Sequence, residues 1–387
     1  MNLESQTHID TAGAESFDVV CFCHLRWDFV FQRPQHLMTR FAKNGRVFVI
    51  EEPVAHDGDP YIDVSDRGGN IFICVPHLPS GSDDRMPELV ERLVYEQNVT
   101  RYIVWFYTPM MLNWSERLNP IATVYDCMDQ LSAFKNAPPE LLERERELFS
   151  QADVVFTGGR SLYESKKALH SSVHAFPSSI DVPHFSKALS IDSDLPEQAK
   201  IPRPRIGFVG VIDERTDIEL LGTLADLRKN WNFIMVGPVV KISEDDLPRR
   251  ENIHYLGQRA YDDLPAILAG WDAAMMPFAL NESTKYISPT KTPEYLAAGL
   301  PVVSTPIADV VDPYGEMGLV HIAITPEEFA DALQKALDED ASTRQNKATE
   351  FLARNSWDRT FEEMNRLISE AMAIQGDGAD VSAEASA

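Results

Sequence analysis

A chain of 387 residues is too long for one ordinary hydrophobic core and implies two domains of roughly 150–200 residues each. Its hydrophobic fraction of 44% and charged fraction of 25% are those of a globular protein. No run reaches the roughly 18 apolar residues of a membrane helix. The net charge of −25 argues against a nucleic-acid partner and against a broadly cationic membrane-binding face, because both need basic surface to meet phosphates.

The opening stretch, 1–15, is polar and lacks the apolar core of a signal peptide, so a cytoplasmic location is expected. From there β-rich runs alternate with amphipathic stretches, the pattern of parallel sheets with crossover helices. Strands are predicted at 18–22, 47–51, 71–75, 102–106, 123–126 and 154–157, with helices at 35–42, 87–98 and 140–151 between them. The proline-framed stretch 181–204 reads as a linker. The same grammar then restarts, with strands at 205–209, 232–236, 253–256, 273–276, 301–304 and 319–322. Helices are predicted at 217–229, 261–269, 292–298 and 326–339, and a long helix at 342–372 breaks near 355–356. The expected organisation is a doubly wound N-terminal domain at 16–183, a linker at 184–204, and a second doubly wound domain of similar size at 205–355. Residues 1–15 and 375–387 are expected to be disordered.

Cys21, Cys23, Cys74 and Cys127 sit in apolar runs and read as buried reduced thiols, since no second pair stands at metal-ligand spacing. Between Arg26 and Arg46, basic residues interleave with Trp27, Phe29, Phe31 and Phe41. That stretch is either the solvated face of a first helix or a patch that meets an acceptor or an anionic lipid surface.

Ligands of open parallel sheets bind beyond the carboxyl ends of the strands, so the loops after strands carry the candidate chemistry. In the second half, Gly210 allows close backbone approach and Arg215 stands before a helix, where it can meet a phosphate. Gly237 with Lys241, and Leu256 with Gly257, follow the next two strands; there a nucleobase could lie against the backbone, although Gly257 serves equally as a turn. The most informative segment runs from Ser288 through Pro289, Lys291, Thr292 and Glu294 to Gly299. A helix starting there offers free amides and a cation to a diphosphate, and Glu294, one turn in, offers two acceptor oxygens to a ribose diol. Capping alone accounts for Ser288 and Gly299, but not for a lysine and a glutamate on the same first turn. Asp83-Asp84 and Asp245-Asp246 read as solvated turns, so no metal site and no cofactor are expected.

These residues carry a family likeness. The segment 288–305 resembles the donor site of group 1 (family 4) glycosyltransferases, α/β proteins of the GT-B fold in which two Rossmann-like, doubly wound parallel-sheet domains face a cleft. Other stretches agree in order: 152–157 followed by Ser161, 176–181 with Phe185, and Trp357 in the closing helix. Residues 26–36, 124–129 and 210–215 are more specifically similar to a bacterial subgroup that includes teichuronic-acid and exopolysaccharide glycosyltransferases. The resemblance implies a nucleotide-sugar donor, UDP-linked by preference, in the second domain and a saccharide or lipid-linked acceptor in the first. It also implies transfer with retention of configuration and a last helix, 356–374, that crosses back to complete the first domain. The acidic pairs give no reason to expect a metal, and the Arg26–Arg46 patch leaves open contact with the inner face of the membrane. One departure stands out: where the family carries a glutamate eight residues before the ribose-binding one, this chain has Tyr286. Glu282, or the backbone at Ile287 and Ser288, is the expected substitute.

On this reading Arg215 and Lys291 stabilise the leaving diphosphate. Should the reaction invert, Asp126 and Asp129 are the first candidates for the base and His24 the next. The same aspartates could instead cap turns or orient substrates. Arg26, Trp27, Gln32 and Arg33 are assigned to the acceptor. Two other readings stay open: a nucleotide-sugar epimerase of the same fold, and a non-catalytic binding scaffold suggested by Tyr286.

Overall fold

The computed structural model describes residues 16–384, with side-chain placement through residue 374. The expected disorder at 1–15 lies outside the described residues. Nine strands make the first sheet among the described residues. They are β1 (Asp18–Phe22), β2 (Val47–Ile50), β3 (Val54–Ala55), β4 (Tyr61–Asp66), β5 (Ile71–Leu78), β6 (Tyr102–Phe106), β7 (Thr123–Cys127), β8 (Val154–Thr157) and β9 (Val173–Ala175). Their order is β3-β5-β2-β1-β6-β7-β8-β9, all parallel, with β4 antiparallel against β5. The second sheet contains β10 (Arg205–Val209), β11 (Asn232–Val236), β12 (Ile253–Gly257), β13 (Ala273–Met276), β14 (Val302–Ser304) and β15 (His321–Ile322). It is wholly parallel in the order β12-β11-β10-β13-β14-β15.

Both sheets reverse their winding at the first strand of their domain. β1 lies between β2 and β6, and β10 between β11 and β13. At such a switch point neighbouring crossovers leave the sheet in opposite directions and open a crevice. The loops after β1 and β10 border those crevices.

Strand alternation explains how the first domain is covered on both faces. Val20, Phe22, Val104 and Phe106 point into a core closed by Leu89, Val90, Leu93 and Leu148 of the helices Met86–Glu96 and Leu141–Gln151. Val19, Cys21, Ile103 and Trp105 point the other way, onto Leu37, Met38 and Phe41 of the helix Arg33–Phe41. Trp357, Met364 and Ile368 of the last helix fill the same side, so the chain's final element returns to the first domain. His36 and Trp357 stack at 4.5 Å where the two helices meet.

Two expectations change here. The stretch 184–204 is not a free connector: Phe185, Ala188 and Ile201 are buried in the second domain's core, and the buried Gln198 accepts from Trp271 Nε1 at 2.7 Å. Its prolines interrupt regular structure without preventing burial of the residues between them. The last helix, Trp357–Glu384, also runs past the expected end at 374.

Candidate active site

A cavity of about 190 Å³ lies between the domains. Arg215, Ser288, Pro289, Lys291 and Glu294 reach it from the second domain, and Gln32, Arg33 and Asp129 from the first. Lys291 opens the helix Lys291–Ala297 and lies across Gly210, where an added Cβ would stand 2.1 Å from the lysine Cε. Gly210 (φ 150°) and Gly237 (φ 147°) are themselves in close contact, a Cβ on the second falling 1.9 Å from the carbonyl oxygen of the first. The turn after β10 therefore needs glycine for both conformation and space. The helix is only seven residues long, so the cationic character expected of its start is carried mainly by the Lys291 side chain.

Burial pushes the Lys291 ammonium below its ordinary pKa, against the pull of Glu294. Burial also raises the Glu294 carboxyl to about 7, opposed by Lys291 and by a hydrogen bond from Thr290. Arg215 is oriented by Asp213, which accepts from its Nε at 3.0 Å and from its Nη2 at 2.6 Å. Across the cleft, burial raises the Asp129 carboxyl, and Arg215, Arg33 and Lys291 oppose it. An anion entering here would meet two second-domain cations and one first-domain carboxylate.

Asp126 does not face this space. It is fully buried, and Arg33 donates to it from Nε at 2.9 and 3.1 Å and from Nη2 at 2.8 Å. Arg33 Nη1 donates to the Phe176 carbonyl at 2.8 Å. Asp126 is thus a structural counter-ion, not an accessible base, and Arg33, though on the cavity wall, has most of its guanidinium committed to the protein. His24 also departs from the expected role: burial, with Lys241 nearby, lowers its pKa to about 4, and its Nδ1 is buried without a hydrogen-bond partner.

Several donor-site expectations move. Thr292 is fully buried and donates to Met276 Sδ, because the helix turns that position into the core. Lys241 pairs with Glu214 at 3.5 Å and lies over the ring of Phe134, a first-domain residue, at 4.9 Å. Leu256 packs against the core, and the Gly257 carbonyl accepts from Gly237 N–H at 2.9 Å. The basic stretch dissolves in the same way, since Arg26, Arg33, Arg40 and Arg46 pair with Glu51, Asp126, Asp358 and Asp18. Tyr286 turns away from the central cavity and packs against the first domain's core, while Glu282 lies beside it in a separate opening; Ile287 and Ser288 do line the central space.

A second cavity of about 620 Å³ adjoins the first, sharing Val30, Phe31, Gly210, Val211, Tyr261 and Leu264. Gln258, Arg259 and Ala260, all missed in the sequence, form part of its wall. Gly257 just before them, at φ 70°, was the available signal. Trp27 belongs to this cavity and not to the smaller one. The closed arrangement is held by Asp309 of the second domain, which accepts from the main-chain N–H of Arg160 at 2.8 Å and of Ser161 at 2.9 Å.

Residues 203–339 match the family model described as glycosyl transferases group 1. The second domain is thus similar to the group 1 glycosyltransferases. The match takes in β10 to β15 and every second-domain residue placed on the two cavities. A Bacillus subtilis (strain 168) protein, TuaH, named as a teichuronic acid biosynthesis glycosyltransferase, is 24% identical over 238 residues. That alignment covers 57% of this chain and 59% of TuaH, less than two thirds of the relative's length. Among solved structures, sucrose-phosphate synthase from Thermosynechococcus elongatus superposes with a TM-score of 0.72 at 12% identity, covering 92% of this chain and 100% of its own. An E. coli trehalose-6-phosphate protein bound with UDP-2-fluoro glucose gives 0.68 at 12% identity, covering 92% and 99%. The two parallel-sheet domains and these superpositions make this a GT-B architecture. Among the described residues no helix is long and apolar enough to cross a membrane.

Proposed function

We propose that the chain is a glycosyltransferase that moves a sugar from a nucleotide-sugar, UDP-linked by preference, to a saccharide or lipid-linked acceptor in the assembly of a bacterial surface polysaccharide. The carrying observation is the convergence of Arg215, Lys291 and Glu294 with Asp129 on one interdomain cavity. Glu294 accepts hydrogen bonds from the ribose hydroxyls. Arg215 and Lys291 meet the diphosphate, on which negative charge grows as the glycosidic bond breaks. Fixed cations aimed at that charge stabilise the transition state more than the ground state. They supply the role without a metal. The likeness to TuaH supports the polysaccharide assignment, and the UDP-sugar held by the E. coli neighbour supports the choice of nucleotide.

Retention of configuration is part of the proposal. Inversion needs a general base beside the acceptor hydroxyl; Asp126 is sealed against Arg33, and Asp129 faces cations that it serves by balancing their charge. Incubating the protein with UDP-glucose, UDP-glucuronate or UDP-N-acetylglucosamine and a mixture of saccharide acceptors should release UDP and yield a new glycoside with the donor's anomeric configuration. Interconversion of the donor with no glycoside formed, or no turnover of any donor, would overturn the reading.

A further inference from the structure

The cavity beside the diphosphate site has one wall from each domain. Its second-domain wall is the chain that follows β10, β11 and β12, including Gly210, Gly237 and Gln258 through Tyr261. Its first-domain wall is the loop after β1, which presents Trp27, Phe29 and Phe31. Phe29 and Phe31 are 42% and 40% exposed, an unusual state for two phenylalanines in one short loop unless something covers them. The loop is built to hold this position. The buried Gln35 donates from Nε2 to the Trp27 carbonyl at 2.7 Å and to the Val30 carbonyl at 3.1 Å, and Trp27 N–H donates to Glu51 at 2.7 Å. It also reaches the other domain: Phe31 lies 4.5 Å from the ring of Tyr261, and Gln258 Nε2 donates to the Phe29 carbonyl.

We propose that this aromatic loop of the first domain covers the donor's nucleobase, so that the base is bound between the domains and not by the second domain alone. The inference rests on the donor reading above and extends it to a part of the chain first assigned to the acceptor. Three features select a base. At about 620 Å³ the cavity has the size of small-ligand sites, about 300–1,000 Å³. It opens directly onto the space that holds Lys291 and Glu294, the order in which base, ribose and diphosphate follow one another. Its first-domain wall carries three aromatic side chains, Trp27, Phe29 and Phe31, and a neutral planar base is the ligand chemistry that stacks on such rings. Because both domains touch the base, a bound donor holds the cleft closed.

The test uses the full-length protein and titrates UDP and inorganic pyrophosphate into wild type, Phe29→Ala and Trp27→Ala by calorimetry. Loss of a stacked ring should weaken UDP at least about fivefold in one or both variants and leave pyrophosphate within twofold of wild type. UDP affinity equal to wild type in both folded variants would overturn the proposal and return the loop to the acceptor. Equal weakening of UDP and pyrophosphate would also overturn it, since that is the signature of general cleft opening. Phe29→Leu, which keeps an apolar side chain but no ring, guards against a folding artefact and should show the same selective loss. Wild type that binds neither ligand contradicts the donor reading itself, an outcome distinct from all of these.

Discussion

Arg33 and Asp126 form a buried, bidentate ion pair 93 positions apart in the chain, with Nη2 and Oδ1 at 2.8 Å. The pair joins the first helix to β7, so an arginine on the cavity wall is held by the fold. Removing one member of such a pair strands the other charge, which costs about 3–5 kcal/mol. Arg33→Ala and Asp126→Ala should each lose about that much stability in urea unfolding at pH 7. The double variant Arg33→Met/Asp126→Leu should recover much of it. A base catalyst would behave otherwise, with full stability and no turnover.

His24 supplies a pH-dependent term. Burial holds its folded pKa at about 4, below the ordinary 6.5. Between those values the unfolded chain binds the extra proton, so stability falls as pH drops through this window and the term is fully present above it. Denaturation from pH 4 to 7 should show a slope that flattens, by up to one proton, in His24→Gln. The activity profile should show no ionisation of His24 near 6.5.

Asp309 bridges the domains by accepting from Arg160 and Ser161 N–H. Hydrogen bonds to a carboxylate contribute about 1.5–3 kcal/mol each at most. Asp309→Ala should therefore populate an open form, read as a larger radius of gyration by small-angle X-ray scattering without nucleotide. Because only the closed form presents the complete site, UDP affinity should fall by about tenfold.

Glu294 titrates at about 7 in the free protein, up from 4.5, because burial disfavours its charge. Only the ionised carboxylate offers all its acceptor capacity to the ribose hydroxyls. UDP binding should thus weaken several-fold from pH 8 to pH 6, and Glu294→Gln should flatten the dependence. The sign for stability is opposite to that of His24. Here the folded state binds the proton more tightly, so this group lowers stability as pH rises from 4.5 to 7, and Glu294→Gln should remove that decline.

How much of this was legible in the sequence follows from the range of each interaction. Central strands such as β1, β6 and β10 are continuous apolar runs, because a parallel strand is buried on both faces; their limits could be read directly. β4 alternates exposed and half-buried residues, and β9 has three residues, so neither rises above a loop. Lys291 and Glu294 were legible because a loop, a helix start and two charged residues fall within one turn. The fate of Asp126 was not, since its partner lies far along the chain and no local pattern reports it. Thr292 illustrates a finer limit: one step around the helix separates a cavity residue from a core residue. Gln258 to Tyr261 were missed because their partners, Phe29 and Phe31, lie in the other domain, remote in sequence, and no local pattern reports such a contact.

The most direct test of the donor site is a calorimetric titration of UDP into wild type and Glu294→Ala, each in excess EDTA at pH 8. Wild type should bind UDP saturably without metal, and the variant should lose about 1–3 kcal/mol of binding. Equal UDP affinity in the two folded proteins, or wild-type binding only when a divalent metal is restored, would contradict the proposed site.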